Sequence, residues 1–227
     1  MATGDADNGL ADSGEGFDAV SNHDFENDIH DEHMGLMASY RWHHDPKTIL
    51  FVLARYKFVA KMLAGYENVL EVGCADAFGS RIVRQAVGKL TALDIDGQMI
   101  EDAKKRTSTK WDVLYLLGDM SAVGGQRFDA LYCLDVLEHV LPSEEGKFMA
   151  MASALAPVAI FGMPSLESQP YASPFSRDNH VNCKNEEGLR ELMQSHYEHV
   201  FMFGMNDEVV HTGFGPLCHY RFALGVR

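Results

Sequence analysis

From residue 68 to residue 162, short continuous apolar runs alternate with stretches in which apolar residues recur every three or four positions. The runs at 68–72, 90–94, 113–117, 128–134 and 158–162 predict strands buried on both faces, as in a parallel sheet covered by helices. The stretches at 79–86, 97–106 and 143–154, and a later one at 185–195, predict helices. Upstream, Asp45 and Pro46 supply an N-cap carboxylate and a proline for the first helical position. Ile49, Leu53, Tyr56, Ala60 and Leu63 follow at helical spacing, and Gly65 closes that helix. A turn or two of helix at 34–40 is placed to lie over a ligand. Two last apolar runs, 199–205 and 217–225, predict an antiparallel pair at the sheet edge. Residues 164–184 read as a long loop without periodicity, a kind that often carries function. Together these elements predict one α/β domain over 34–227, with a mostly parallel seven-stranded sheet, an antiparallel edge strand and helices on both faces.

Charge changes this picture only at the N-terminus. Of a formal net charge of −14, residues 1–40 contribute ten Asp or Glu and no Lys or Arg. Residues 1–33 therefore predict an acidic tail, too poor in apolar residues to offset the entropy of ordering. Beyond residue 40 there are 23 acids against 19 bases. Nothing resembles the basic stripe that a nucleic-acid backbone needs, so no nucleic-acid partner is expected. Cys74, Cys133, Cys183 and Cys218 form no Cys-x-x-Cys pair, which fits reduced thiols in a cytoplasmic protein. The chain shows no signal-peptide pattern and no window with the roughly 18 apolar residues of a membrane span.

Candidate chemistry gathers at the strand ends. Leu70-Glu71-Val72-Gly73-Cys74-Ala75-Asp76-Ala77-Phe78-Gly79 runs from a strand through a turn into a helix, where backbone N–H groups can face a small polar ligand. Ala75 and Ala77 occupy positions where a dinucleotide-binding turn prefers glycine, which disfavours close approach of a pyrophosphate. Asp94, 21 residues after Gly73, ends the second strand where a carboxylate can accept from ribose hydroxyls. Asp119 and Met120, after the third strand, are placed for an adenine amino group and ring. Asp135-Val136-Leu137-Glu138-His139-Val140 follows the fourth strand.

In this order, residues 68–162 resemble the motifs of class I, Rossmann-like, S-adenosylmethionine-dependent methyltransferases. The resemblance implies that S-adenosylmethionine is bound with Glu71 and Gly73 at its methionine part, Asp94 at the ribose, and Asp119 with Met120 at the adenine. Cys74, Ala75, Ile95, Leu134 and Asp135 complete the implied cofactor site.

Transfer from a sulfonium to a hydroxyl needs the nucleophile held near the methyl carbon and its proton removed. Histidine suits that role, and His139, His180 and His211 are the candidate bases. Asp135, Glu138 and His139 also resemble the E-x-x-E-H metal motif of ubiquinone-biosynthesis and small-RNA methyltransferases, with His180 as a distant fourth ligand. This resemblance implies Mg²⁺ or Mn²⁺, which would lower the pKa of a diol. The polar 164–184 loop points to a hydroxyl-bearing small molecule, such as a carbohydrate, as acceptor. N-methylation of an amine, a non-catalytic S-adenosylmethionine-binding module and an NAD-dependent oxidoreductase are the competing readings.

Overall fold

The structure is a computed structural model that describes residues 32–213 and 215–227. The predicted acidic tail, apart from its last two residues, lies outside the described residues. In chain order the helices are α1 (Leu36–His44), α2 (Lys47–Met62), α3 (Ser80–Arg84), α4 (Gly97–Lys105), α5 (Pro142–Leu155), α6 (Pro174–Asn179) and α7 (Glu186–Gln194). The strands are β1 (Asn68–Val72), β2 (Lys89–Asp94), β3 (Leu114–Leu117), β4 (Ala130–Leu134), β5 (Val158–Pro164), β6 (His199–Asn206), β7 (Val209–His211) and β8 (Tyr220–Val226).

All eight strands join one sheet in the order β3-β2-β1-β4-β5-β8-β6-β7. β1 to β5 are parallel to their neighbours among themselves. β8 inserts antiparallel between β5 and β6, and β7 closes the edge antiparallel to β6. The predicted seven strands are thus joined by an eighth, three-residue strand too short to show a period. The chain reverses between β1 and β4, whose C-terminal ends open the crevice where such sheets bind ligands. Successive residues of β4 alternate between two cores, as the pleat requires. Ala130 and Tyr132 pack with Tyr56, Val59 and Val83 on one face, whereas Leu131 and Cys133 pack with Met149, Leu189 and Met193 on the other.

Two local expectations differ. The Asp45 carboxylate does not cap α2; it pairs with Lys47 at 3.4 Å, while the Asp45 N–H donates to the Arg41 carbonyl and closes α1. At this tight corner it is the Asp45 carbonyl, not the carboxylate, that accepts from Thr48 N–H and Oγ at the start of α2. Residues 164–184 are also more regular than predicted, with a 3₁₀ segment at Leu166–Tyr171 followed by α6. Each is started by a serine: Ser165 Oγ accepts from Ser168 N–H, and Ser173 Oγ from Ser176 N–H.

Candidate functional site

After β1 the chain turns over residues 73–79. Gly73 has φ 78°, and a Cβ there would stand 2.1 Å from Val136 Cγ2, so glycine is required both by conformation and by packing. Ala75 and Ala77 take left-handed φ values of 46° and 53°. The turn keeps a glycine-like backbone although its side chains are methyl groups, at a cost of about 1–2 kcal/mol each. Asp94 holds it there: Oδ2 accepts from Ala75 N–H at 2.7 Å and Oδ1 from Asp96 N–H at 2.9 Å. Gly79 serves the fold, because a Cβ there would meet the Tyr56 ring at 2.3 Å.

Glu71, expected at the methionine part of the cofactor, faces the interior. It is 1% exposed, accepts from Tyr56 Oη at 2.8 Å and from Ser80 Oγ at 2.5 Å, and braces β1 against α2 and α3. Burial pushes its carboxyl up to about 7, against the opposing effect of those hydroxyls. Met120 likewise turns into the core beside Leu93 and Val123. The apolar groups left open on this rim are Ile95 and Leu117, 78% and 57% exposed. Asp119 Oδ1 accepts from the N–H and hydroxyl of Ser121, and these bonds hold its carboxyl below the usual range.

Between α1, α2 and the strand ends lies a cavity of about 800 Å³. Gly73, Cys74, Ala75, Leu134, Asp135, Glu138, His139 and His180 of the expected set line it; Asp94, Ile95 and Asp119 lie outside it along the rim, and Met120 lies outside it in the core. Met37, Ala38, Tyr40 and Arg41 of α1 form its roof. Asp76 of the turn fastens that roof by accepting from Ala38 N–H at 2.8 Å.

On the floor, Arg55 Nη1 donates to both oxygens of Asp135, at 2.8 and 2.7 Å, and its guanidinium lies 3.9 Å from the Tyr220 ring centroid. Neither residue type nor helical spacing marked Arg55, whose partner is 80 positions away. In the expected four-residue metal set, Asp135 is thus paired with an internal cation. Glu138, His139 and His180 do come together, with one potential ligand atom from each within 4.8 Å of the others. Glu138 is 1% exposed and neither carboxylate oxygen has a hydrogen-bond partner. Burial, and then Asp135, push its carboxyl well above the usual range. Burial and the neighbouring His139 hold His180 below the ordinary imidazole range. His211 is elsewhere. Its Nδ1 accepts from Gly213 N–H at 2.9 Å and its Nε2 meets Asn206 Oδ1 at 2.8 Å, so both nitrogens serve the β6–β7 corner.

Residues 69–158, which carry the turn, the acidic rim and Glu138–His139, match the methyltransferase-domain family. Over these residues the chain carries a methyltransferase domain, on a class I, Rossmann-like fold. Solved structures with this fold include magnesium protoporphyrin IX methyltransferase from Synechocystis PCC 6803 with bound S-adenosylmethionine. It is 17% identical with a TM-score of 0.59, covering 91% of each chain. The methyltransferase domain of a bacterial Hen1 is 14% identical with a TM-score of 0.63, covering 78% of this chain and 100% of that one. A possible histamine N-methyltransferase from Thermotoga maritima is 15% identical with a TM-score of 0.60, covering 84% and 99%. No curated protein matches the methyltransferase in sequence. Among its described residues no helix is long and apolar enough to cross a membrane.

Proposed function

We propose that this methyltransferase moves a methyl group from S-adenosylmethionine to a hydroxyl of a polar small molecule, such as a sugar-like metabolite, seated in the 800 Å³ cavity. S-adenosylmethionine supplies the methyl group on a sulfonium, ready for in-line displacement. The donor set suits it. Asp94 is braced by two amides and retains lone pairs for ribose hydroxyls, Ile95 and Leu117 offer apolar faces to adenine, and Asp119 can accept from its amino group. The Arg55–Asp135 pair presents opposite charges to the zwitterionic methionine end.

The single observation that carries hydroxyl transfer is the buried, unpartnered Glu138 carboxylate beside two imidazoles. An isolated buried carboxylate is costly, and such groups persist where a cation or proton exchange compensates them. Glu138, His139 and His180 fit Mg²⁺ or Mn²⁺, and when bound the ion would lower the pKa of an acceptor hydroxyl. In its absence the His180 imidazole is the group able to take the proton.

Incubating the protein with labelled S-adenosylmethionine and a fractionated cell extract, then identifying the labelled product, tests the acceptor class. Excess EDTA should reduce the rate at least tenfold, and added Mg²⁺ or Mn²⁺ should restore it. Full activity in chelator would leave proton transfer to His180 alone. An amine acceptor needs less base assistance, so an unchanged rate in the His139→Ala, His180→Ala double variant would overturn hydroxyl transfer in favour of N-methylation.

A further inference from the structure

His180 does not find its orientation by itself. Its Nδ1 lies 3.0 Å from Gln169 Oε1, and Gln169 is fixed at its other end, where Nε2 donates to the Ser165 carbonyl at 3.2 Å. Ser165 is fully buried and is itself anchored: its Oγ donates to the Cys218 carbonyl at 2.6 Å, and its N–H to the His219 carbonyl at 2.9 Å. A carbonyl only accepts, so the amide nitrogen of Gln169 must face Ser165 and its oxygen must face the imidazole. That oxygen also only accepts. Nδ1 of a neutral His180 therefore carries the proton, and Nε2 is left with a bare lone pair.

The same logic holds one residue back. His139 Nδ1 lies 3.0 Å from the Asn179 backbone carbonyl, again an obligate acceptor, so the neutral tautomer that this contact selects carries its proton on Nδ1 and leaves Nε2 bare as well. Asn179 ends α6 and His180 is its C-cap, so one helix end supplies both the brace for His139 and the second imidazole. The two rings meet edge-on with centroids 5.1 Å apart beside the unpartnered Glu138.

We propose that Gln169 is a positioning residue of this site, which, with the Asn179 carbonyl, presets both imidazoles as Nδ1–H tautomers with Nε2 free for a cation or an acceptor proton. The proposal builds on the reading of Glu138, His139 and His180 as the reactive cluster. Gln169 also lines a second cavity of about 620 Å³, which shares Pro164, Ser176 and His180 with the first. It therefore reaches His180 from the second cavity, whereas His139 and Glu138 line the first.

Long-range ¹H–¹⁵N NMR of the metal-free, ¹⁵N-histidine-labelled protein tests this without activity, with His180 assigned from the His180→Gln spectrum. In the unaltered protein His139 and His180 should both show a protonated Nδ1 and an unprotonated Nε2. Gln169→Leu should move His180 alone toward the Nε2–H form, while Gln169→Glu, which keeps the acceptor, should retain Nδ1–H. Mn²⁺ binding followed by electron paramagnetic resonance should weaken roughly tenfold or more in Gln169→Leu and recover within a few-fold in Gln169→Glu. A protonated Nε2 on His180 in the unaltered protein, or Nδ1–H surviving Gln169→Leu, overturns the proposal. Absence of Mn²⁺ binding with the tautomers as stated removes the metal from the proposed function but leaves the positioning role intact.

Discussion

Ala75 and Ala77 show how a side chain's surroundings decide what its backbone costs. Both have left-handed φ, but Ala75 is half-buried whereas the Ala77 methyl is packed in the core. Ala75→Gly removes about 1–2 kcal/mol of backbone strain and adds roughly 0.4–1 kcal/mol of unfolded-state entropy. A net gain of about 0.5–1 kcal/mol, or roughly 2–3 °C in Tm, is expected for Ala75→Gly, and close to none for Ala77→Gly, which also loses a buried methyl. Calorimetry of the two variants checks the difference; equal shifts would contradict it. Glu71 carries a pH dependence. Its folded pKa of about 7 lies above the ordinary 4.5, so its stabilising contribution is complete below pH 4.5 and is lost as pH rises through 7. At about 1.4 kcal/mol per pH unit, the protein should lose roughly 3 kcal/mol from this group between pH 4.5 and about pH 8. The Glu71→Gln variant should not lose it. Urea titrations of both proteins across that range give the comparison, and parallel curves would refute the assignment.

At the scale of elements, α1 and α2 are strapped across the strand ends by side chains from distant segments. Tyr56 reaches Glu71 of β1, Arg55 reaches Asp135 after β4, and the α1 amide of Ala38 is held by Asp76. The Arg55 and Asp135 side chains are 18% and 32% exposed, so water screens the pair only in part. Breaking such a pair from one side leaves a largely buried charge and costs about 3 kcal/mol. Arg55→Met should lose about that much, and Arg55→Met with Asp135→Asn distinctly less than the sum of the single losses. Strict additivity in urea denaturation would show that the pair is uncoupled. The strap was partly legible: helical spacing and Gly65 predicted α2, but no local pattern announces which of its side chains will cross to another strand end. The serine caps of Leu166–Tyr171 and α6 were legible in principle, because Ser173-Pro174 repeats the cap-then-proline signature noted at Asp45-Pro46. The absence of an apolar period there hid them, since the 3₁₀ segment buries no residue and α6 borders the cavity.

For the whole molecule, the sequence by itself determined the alternating α/β order, the parallel sheet and the acidic residues at the β2, β3 and β4 ends. Those properties reside in short windows: continuous apolar runs need two covered faces, and a strand end exposes whatever residue follows the run. The insertion of β8 between β5 and β6 was not contained in any window, because it depends on which edges remain free once the parallel strands have paired. The same is true of chemistry. D-x-x-E-H set Asp135, Glu138 and His139 close together, but only tertiary structure gave Asp135 to Arg55, left Glu138 unpartnered, and brought His180 across 41 positions with Gln169 behind it. Spacing along a chain limits which residues can meet nearby; burial and competition among partners, which exist only in the folded molecule, decide which charges remain for function.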